Sequence, residues 1–160
     1  MKKFFALAVL AVSVVSISGC AAMRAAAARD KFIQNATMQH TYQRPCGEVW
    51  AAARTMLFAR DFQVKSADAA AGLTLETEWK TQSNGNMITS TRYLFQGSAP
   101  TPETCQVQAT AATKNQQGNT SMNRDWRMEW DLLKQVDIAA AQQIESDAKA
   151  AGEAARNQQS

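Results

Sequence analysis

Residues 73–95 read LTLETEWKTQSNGNMITSTRYLF, and the period of two in this stretch decides the fold. Leu73, Leu75 and Trp79 alternate with Thr74, Glu76 and Glu78, and Thr77 completes the inward row, as in a strand with one buried and one wet face. The polar run 82–86 (QSNGN) reads as a hairpin loop, because Asn and Gly accept the positive backbone dihedrals that such turns require. Residues 88–95 form the returning strand. Thr89, Thr91, Tyr93 and Phe95 share one of its faces and Ile88, Ser90, Arg92 and Leu94 the other, and periodicity leaves open which face is inward.

Upstream of the hairpin, Phe62, Val64 and Ser66 begin another strand, with residues 67–72 as a turn closed by Gly72. Asp61 ends a helix over residues 46–60, in which Val49, Trp50, Ala53, Met56 and Leu57 form an apolar stripe with Glu48, Arg54 and Arg60 off it. Pro45 opens that helix and closes a short strand over residues 38–43, where Met38, His40 and Tyr42 share a face. Downstream, Pro100 and Pro102 mark a loop. Cys105, Val107, Ala109 and Ala111 then alternate with polar or small neighbours in a strand that ends near Lys114. Residues 115–123 read as a loop. A single helix is expected from residues 125–129 past Leu132, Leu133, Val136, Ala140 and Ile144, fraying after Gly152. The expected fold is therefore a two-layer α+β sandwich over residues 38–152, one antiparallel sheet of about four to five strands packed by helices on one face. Residues 153–160 form a frayed end.

The N-terminal segment has another purpose. Lys2 and Lys3 precede residues 4–17, a stretch of apolar and small residues with no charge, which is the pattern of an export signal. As a helix its roughly fourteen residues rise only about 21 Å, short of a hydrocarbon core of about 30 Å. Ile17-Ser18-Gly19-Cys20 then resembles the lipobox cut by lipoprotein signal peptidase between Gly19 and Cys20. A thiol is needed there to carry diacylglycerol as a thioether, and Ser18 and Gly19 are small enough for the peptidase to reach the bond. Each buried methylene adds about 0.8 kcal/mol, so one palmitate-like chain binds marginally while two or three hold the protein in a membrane. The alternative is a secreted protein in which Cys20 is incidental. Ala21 rather than Asp follows the cysteine, which resembles cargo sent to the outer membrane, and the expected location is its periplasmic face. Residues 21–36, rich in alanine, read as a partly helical tether from Cys20, within a lipidated segment 20–37, or as a helix packed on the domain.

Removal of residues 1–19 from the 160 leaves 141, enough for one domain with a core. Two of the 17 basic residues leave with the signal, so 15 face 14 acidic ones, and a formal charge of +1 supplies no strong field for nucleic acid or anionic lipid. Two of the three cysteines remain unlipidated. In an oxidising compartment Cys46 and Cys105 are expected to form a disulfide, two buried thiols being the alternative.

Four segments carry a resemblance: Cys46-Gly-Glu-Val-Trp50, Asp61-Phe-Gln-Val64, Gly72-Leu-Thr-Leu-Glu-Thr-Glu-Trp79 and Trp130-Asp-Leu-Leu133. Together they resemble the small domain of bacterial lipoproteins similar to a lipoprotein component of the outer-membrane β-barrel assembly machine. That resemblance spans roughly residues 38–148 and implies a small α+β envelope domain. Asp61 stands where the family pattern prefers glycine.

Catalytic groups are few. His40 is the single histidine, and Glu76 and Glu78 read as charges on a wet strand face rather than a reacting pair. No Cys-x-x-Cys, glycine-rich phosphate loop or zinc pattern occurs, so neither catalytic residues, metal nor cofactor are expected. Trp50 and Trp79 read as core, whereas Trp126 and Trp130 are candidates for ligand binding. The expectation is a non-catalytic module, held to the membrane by lipid on Cys20, that binds an envelope protein through a sheet edge, groove or loop. The alternative is a domain that binds or processes cell-wall glycan or peptide through the region of Trp126 and Trp130.

Overall fold

In the computed structural model, which describes residues 3–68, 73–85 and 87–157, the hairpin lies within a six-stranded antiparallel sheet. The elements run α1 (Lys3–Gln39), α2 (Cys46–Phe58), β1 (Val64–Asp68), β2 (Thr74–Thr77), β3 (Lys80–Asn84), β4 (Met87–Ser98), β5 (Gln106–Lys114), β6 (Thr120–Arg124), α3 (Trp126–Val136) and α4 (Ile138–Asn157). Strand order is β1-β2-β4-β5-β6, with β3 also paired to β4. The fold is α+β. The chain divides into two compact units, Ala36–Ala141 and the pair Met1–Asn35 with Gln142–Ser160.

In the larger unit, α2 and α3 cover one face of the sheet. Leu75 and Phe95 are fully buried there, Leu75 pairs with Phe95, and Phe95 pairs with buried Ala109. Against them lie the α2 stripe read from the sequence, Val49, Trp50, Ala53, Met56 and Leu57, and Met128, Leu132 and Leu133 of α3, all buried. Trp50 meets Phe95 edge-on at 6.4 Å. Burial of each large side chain contributes roughly 1.5–3 kcal/mol, which fixes Tyr93 and Phe95 as the inner row of β4. Thr77 fills the inward row of β2, and its hydroxyl accepts the Tyr93 backbone N–H at 2.9 Å.

β4 is long enough to pair with two strands on one side, and this changes the reading of residues 73–86. Glu76 to Thr74 pair with Leu94 to Gln96, and Lys80 to Asn84 pair with Thr91 to Met87. The strand expected over residues 73–79 is therefore shortened to β2, and after Glu78 and Trp79 a further strand, β3, forms where none was expected. The expected five-residue loop shrinks to a tight turn at Gly85, which has φ +61°. Trp79 consequently leaves the core and is 38% exposed. Of the turn expected over residues 67–72, Ala67 and Asp68 belong to β1, and Gly72 lies outside the described residues.

Three more segments depart from expectation. Residues 38–43 are not a strand: α1 continues to Gln39, because Ile33 and Thr37 extend its buried side, and only Tyr42 joins the sheet. Residues 120–123, expected as loop, form β6 together with Arg124. Its side chains are exposed except half-buried Arg124, so no alternation betrays it, and ladder bonds to β5 hold it. The single C-terminal helix is two, broken at Asp137, whose N–H donates to Leu133 O at 2.8 Å and ends α3. The Asp137 carboxylate accepts the Ala140 N–H at 3.1 Å and caps α4. Asp125 caps α3 in the same way through Arg127 and Met128.

In the smaller unit the alanine-rich segment is wholly helical, as part of α1. α4 continues to Asn157, past the point where the sequence suggested fraying, and the rest of the expected frayed end, 158–160, lies outside the described residues. Gly152 shows why the helix persists. A Cβ there would stand 3.0 Å from Ala25 O and 3.7 Å from Arg29 Cβ, so the missing side chain lets two helix backbones touch. Ala148, one turn earlier, is fully buried.

Candidate functional site

The end of α2 builds one wall of a cleft. Phe62 N–H donates to Leu57 O at 3.0 Å and Asp61 N–H to Phe58 O at 2.9 Å, the pair of bonds that closes a helix with its next residue left-handed. That residue is Asp61, with φ +58°. Glycine adopts this conformation without steric cost, whereas an aspartate here carries some strain. Buried Phe62 then packs edge-on against Tyr93 at 5.1 Å.

Lys80, first residue of β3, crosses to this wall. Its ammonium donates to Arg60 O at 2.6 Å, lies 3.5 Å from the Asp61 carboxylate and 5.2 Å from the Phe62 ring centre. Arg60 donates to the Asp131 carboxylate and to Met128 Sδ. Burial would raise the Asp131 carboxyl, but hydrogen bonds and charge from Lys134 and Arg60 outweigh it and hold it below its ordinary value. Tyr93 O–H donates to Asp125 at 3.0 Å. Burial first, then the charge and hydrogen bond of Asp125, push it up to about 12, with Arg60 opposing. The result is a cleft of about 390 Å³ with an aromatic floor, whose cations are already paired.

The open edge of β3 adjoins this cleft. Among the described residues no strand pairs with its second edge, and residues 81–85 are exposed. Asn84 and Met87 pair across a two-residue gap and so form a hydrogen-bonded pair, which turns the backbone N–H and C=O of Thr81 and Ser83 toward the open side.

A second constellation is interior. Glu129, 3% exposed, accepts the Ala109 N–H and both Nε and Nη2 of Arg124, each at 2.8 Å, and Arg124 Nη2 also donates to Met38 O at 2.9 Å. This clamp joins α3, β5, β6 and the last turn of α1.

Cys46 and Cys105 form a disulfide, S–S 2.01 Å, tying the first turn of α2 to the residue before β5. Tyr42 brackets it, exchanging backbone bonds with Cys105 at 2.8 and 3.0 Å. Gly19 and Cys20 lie in α1, with side chains outside the described residues. Trp126 and Trp130 are half-buried one turn apart on α3, with Arg127 over the first ring and Lys134 over the second. Trp50 is buried, and its indole N–H has no hydrogen-bond partner among the described residues.

Glu76 and Glu78 are not brought together as a pair: Glu76 accepts from Arg92 at 2.6 Å, whereas Glu78 is exposed beyond β2. Arg92 also stacks over Trp79, 4.9 Å from its ring centre. His40 stands edge-on to Tyr42 at 4.7 Å, its Nε2 3.7 Å from Asp137. Burial pushes this imidazole below its ordinary value, against the pull of Asp137. Among the described residues no group of three or more His, Cys, Asp or Glu is placed to hold a metal ion, and no helix is long and apolar enough to cross a membrane.

Sequence reasoning missed Gly97, Arg124 and Glu129. Gly97, inside β4, was a legible signal, since a Cβ there would stand 3.0 Å from the Trp50 ring. The Arg124–Glu129 clamp had no periodic signature. No protein-family model matches the chain, and no curated protein matches it.

Proposed function

We propose that the protein is a non-catalytic envelope module, held by lipid on Cys20 at the periplasmic face of the outer membrane, that binds an extended segment of another envelope protein along β3. The observation that carries this reading is the open edge of β3 beside the cleft floored by Phe62 and Tyr93. An added strand would take backbone bonds from Thr81 and Ser83 and place alternate side chains over that floor, the usual mode of strand addition. The lipobox-like Ile17-Ser18-Gly19-Cys20 and the resemblance to barrel-assembly lipoproteins support the location.

A photoreactive amino acid at position 81 or 83 in intact cells should capture one defined envelope protein. Failure at both positions, together with peptidoglycan binding that is lost on Trp126→Ala, would favour the cell-wall reading instead.

A further inference from the structure

The smaller unit carries a feature that bears on how the anchor is used. α1 is one helix from Lys3 to Gln39, so Cys20 sits inside regular helix with no flexible link to the residues after it. The close approach of Gly152 to Ala25 and Arg29 fixes where α4 lies against it. Ala148, a turn before Gly152, is fully buried, and Ile33, two turns after Ala25, is also buried, and we infer that α4 runs antiparallel to α1, which would bring both toward the seam. Four residues beyond the crossing, about 6 Å along each axis, α1 reaches Ala21 and α4 reaches Arg156. The last turn of α4 therefore lies at the same end as Cys20.

That end is exposed and chemically mixed. Met23 is 68% exposed, one of the large apolar side chains left uncovered. Arg24 and Arg156 are exposed, and among the described residues neither forms an ion pair. Glu153 is the acidic residue nearby, so the cations are in excess.

We propose that this end of the α1–α4 pair is a second point of attachment to the bilayer, in which Met23 enters the interfacial apolar zone while Arg24 and Arg156 meet lipid phosphates. The inference rests on the lipid-anchor reading. Acyl chains on Cys20 bring the turn of α1 that follows it to the headgroups, and the antiparallel packing brings the last turn of α4 with it. Cationic side chains at an anionic surface and an apolar side chain in the interface both favour this placement. The bilayer thus holds the unit by its end at several points.

The test uses the lipidated mature protein in vesicles of phosphatidylethanolamine and phosphatidylglycerol. With Cys20 acylated and Cys46–Cys105 closed, a fluorophore on Asn157→Cys is unique, and Gln142→Cys, ten residues before Gly152, supplies the distant control. Headgroup-quencher lipid should quench the label at 157 strongly and the label at 142 weakly. The difference should shrink in Arg24→Gln/Arg156→Gln. Equal quenching at 157 and 142 in a protein whose mass shows acylation overturns this attachment and leaves the anchor standing. A protein that carries no lipid and stays off the vesicles overturns both.

Discussion

Replacing Glu129 by Ala should be among the most damaging single changes to the larger unit. Glu129 is 3% exposed and its carboxylate receives three donors at 2.8 Å, so its loss strands the Ala109 N–H and the Arg124 guanidinium together. Breaking a buried pair from one side costs about 3–5 kcal/mol. Arg124 keeps a side-chain exposure of 27% and can recover some hydration, which places the expected loss near the low end, at about 3 kcal/mol. With a urea slope of about 2 kcal/mol/M, the unfolding midpoint should fall by roughly 1.5 M. Glu129→Gln keeps an acceptor for Ala109 and should lose about half as much. The double variant Glu129→Leu/Arg124→Met, which leaves no orphaned charge, should recover most of the stability. Urea titration of the parent and the three variants, followed by tryptophan fluorescence, measures all of this. A Glu129→Ala protein within about 1 kcal/mol of the parent would refute the clamp, as would a double variant no better than the single one.

Asp61→Gly should stabilise the fold by about 0.5–1 kcal/mol, because the left-handed conformation at φ +58° suits glycine better. Giving up the ion pair with Lys80 costs little, since the Asp61 side chain is 89% exposed. Asp61→Ala should shift the melting temperature downward, and the same direction for both variants would contradict this account. Opening the Cys46–Cys105 bridge, which spans 59 residues, should cost about 4 kcal/mol on the chain-entropy treatment, read as the difference in urea midpoint with and without reductant. Acid should erode stability through His40. Its folded-state value lies below the ordinary 6.5, so folding favours the neutral ring; the contribution is complete above that value, shrinks as pH falls below it, and levels off once the folded ring also protonates. His40→Gln should flatten the stability profile between about pH 7 and pH 5, and an unchanged slope would show that other groups carry it.

The core was legible in the sequence where burial and periodicity coincide. The α2 stripe of Val49, Trp50, Ala53, Met56 and Leu57 and the inward row of Leu75 and Thr77 are such places, since one covered face imprints a period on the residues. The Cys46–Cys105 bridge was legible by counting cysteines. β6 was not, because Thr120 to Arg124 owe their strand to backbone bonds with β5, which leave no apolar imprint. The break at Asp137 was hidden by an apolar pattern that continues from Leu133 and Val136 into Ile138, while one side chain caps the next helix.

Around the cleft, Phe62 and Tyr93 were readable as strand residues. The left-handed Asp61 and the reach of Lys80 across to Arg60 arise from tertiary packing, which local sequence does not encode. The open edge of β3 follows from the length of β4, which pairs β2 and β3 end to end.

Lipid on Cys20 is the premise on which the proposed location and the membrane attachment rest. Its most direct measurement is the intact mass and N-terminal sequence of protein purified from membranes. The expected result is a chain that starts at Cys20 and carries diacylglycerol plus an amide-linked acyl group. A chain that retains Met1, or one with an unmodified thiol at position 20, would contradict it.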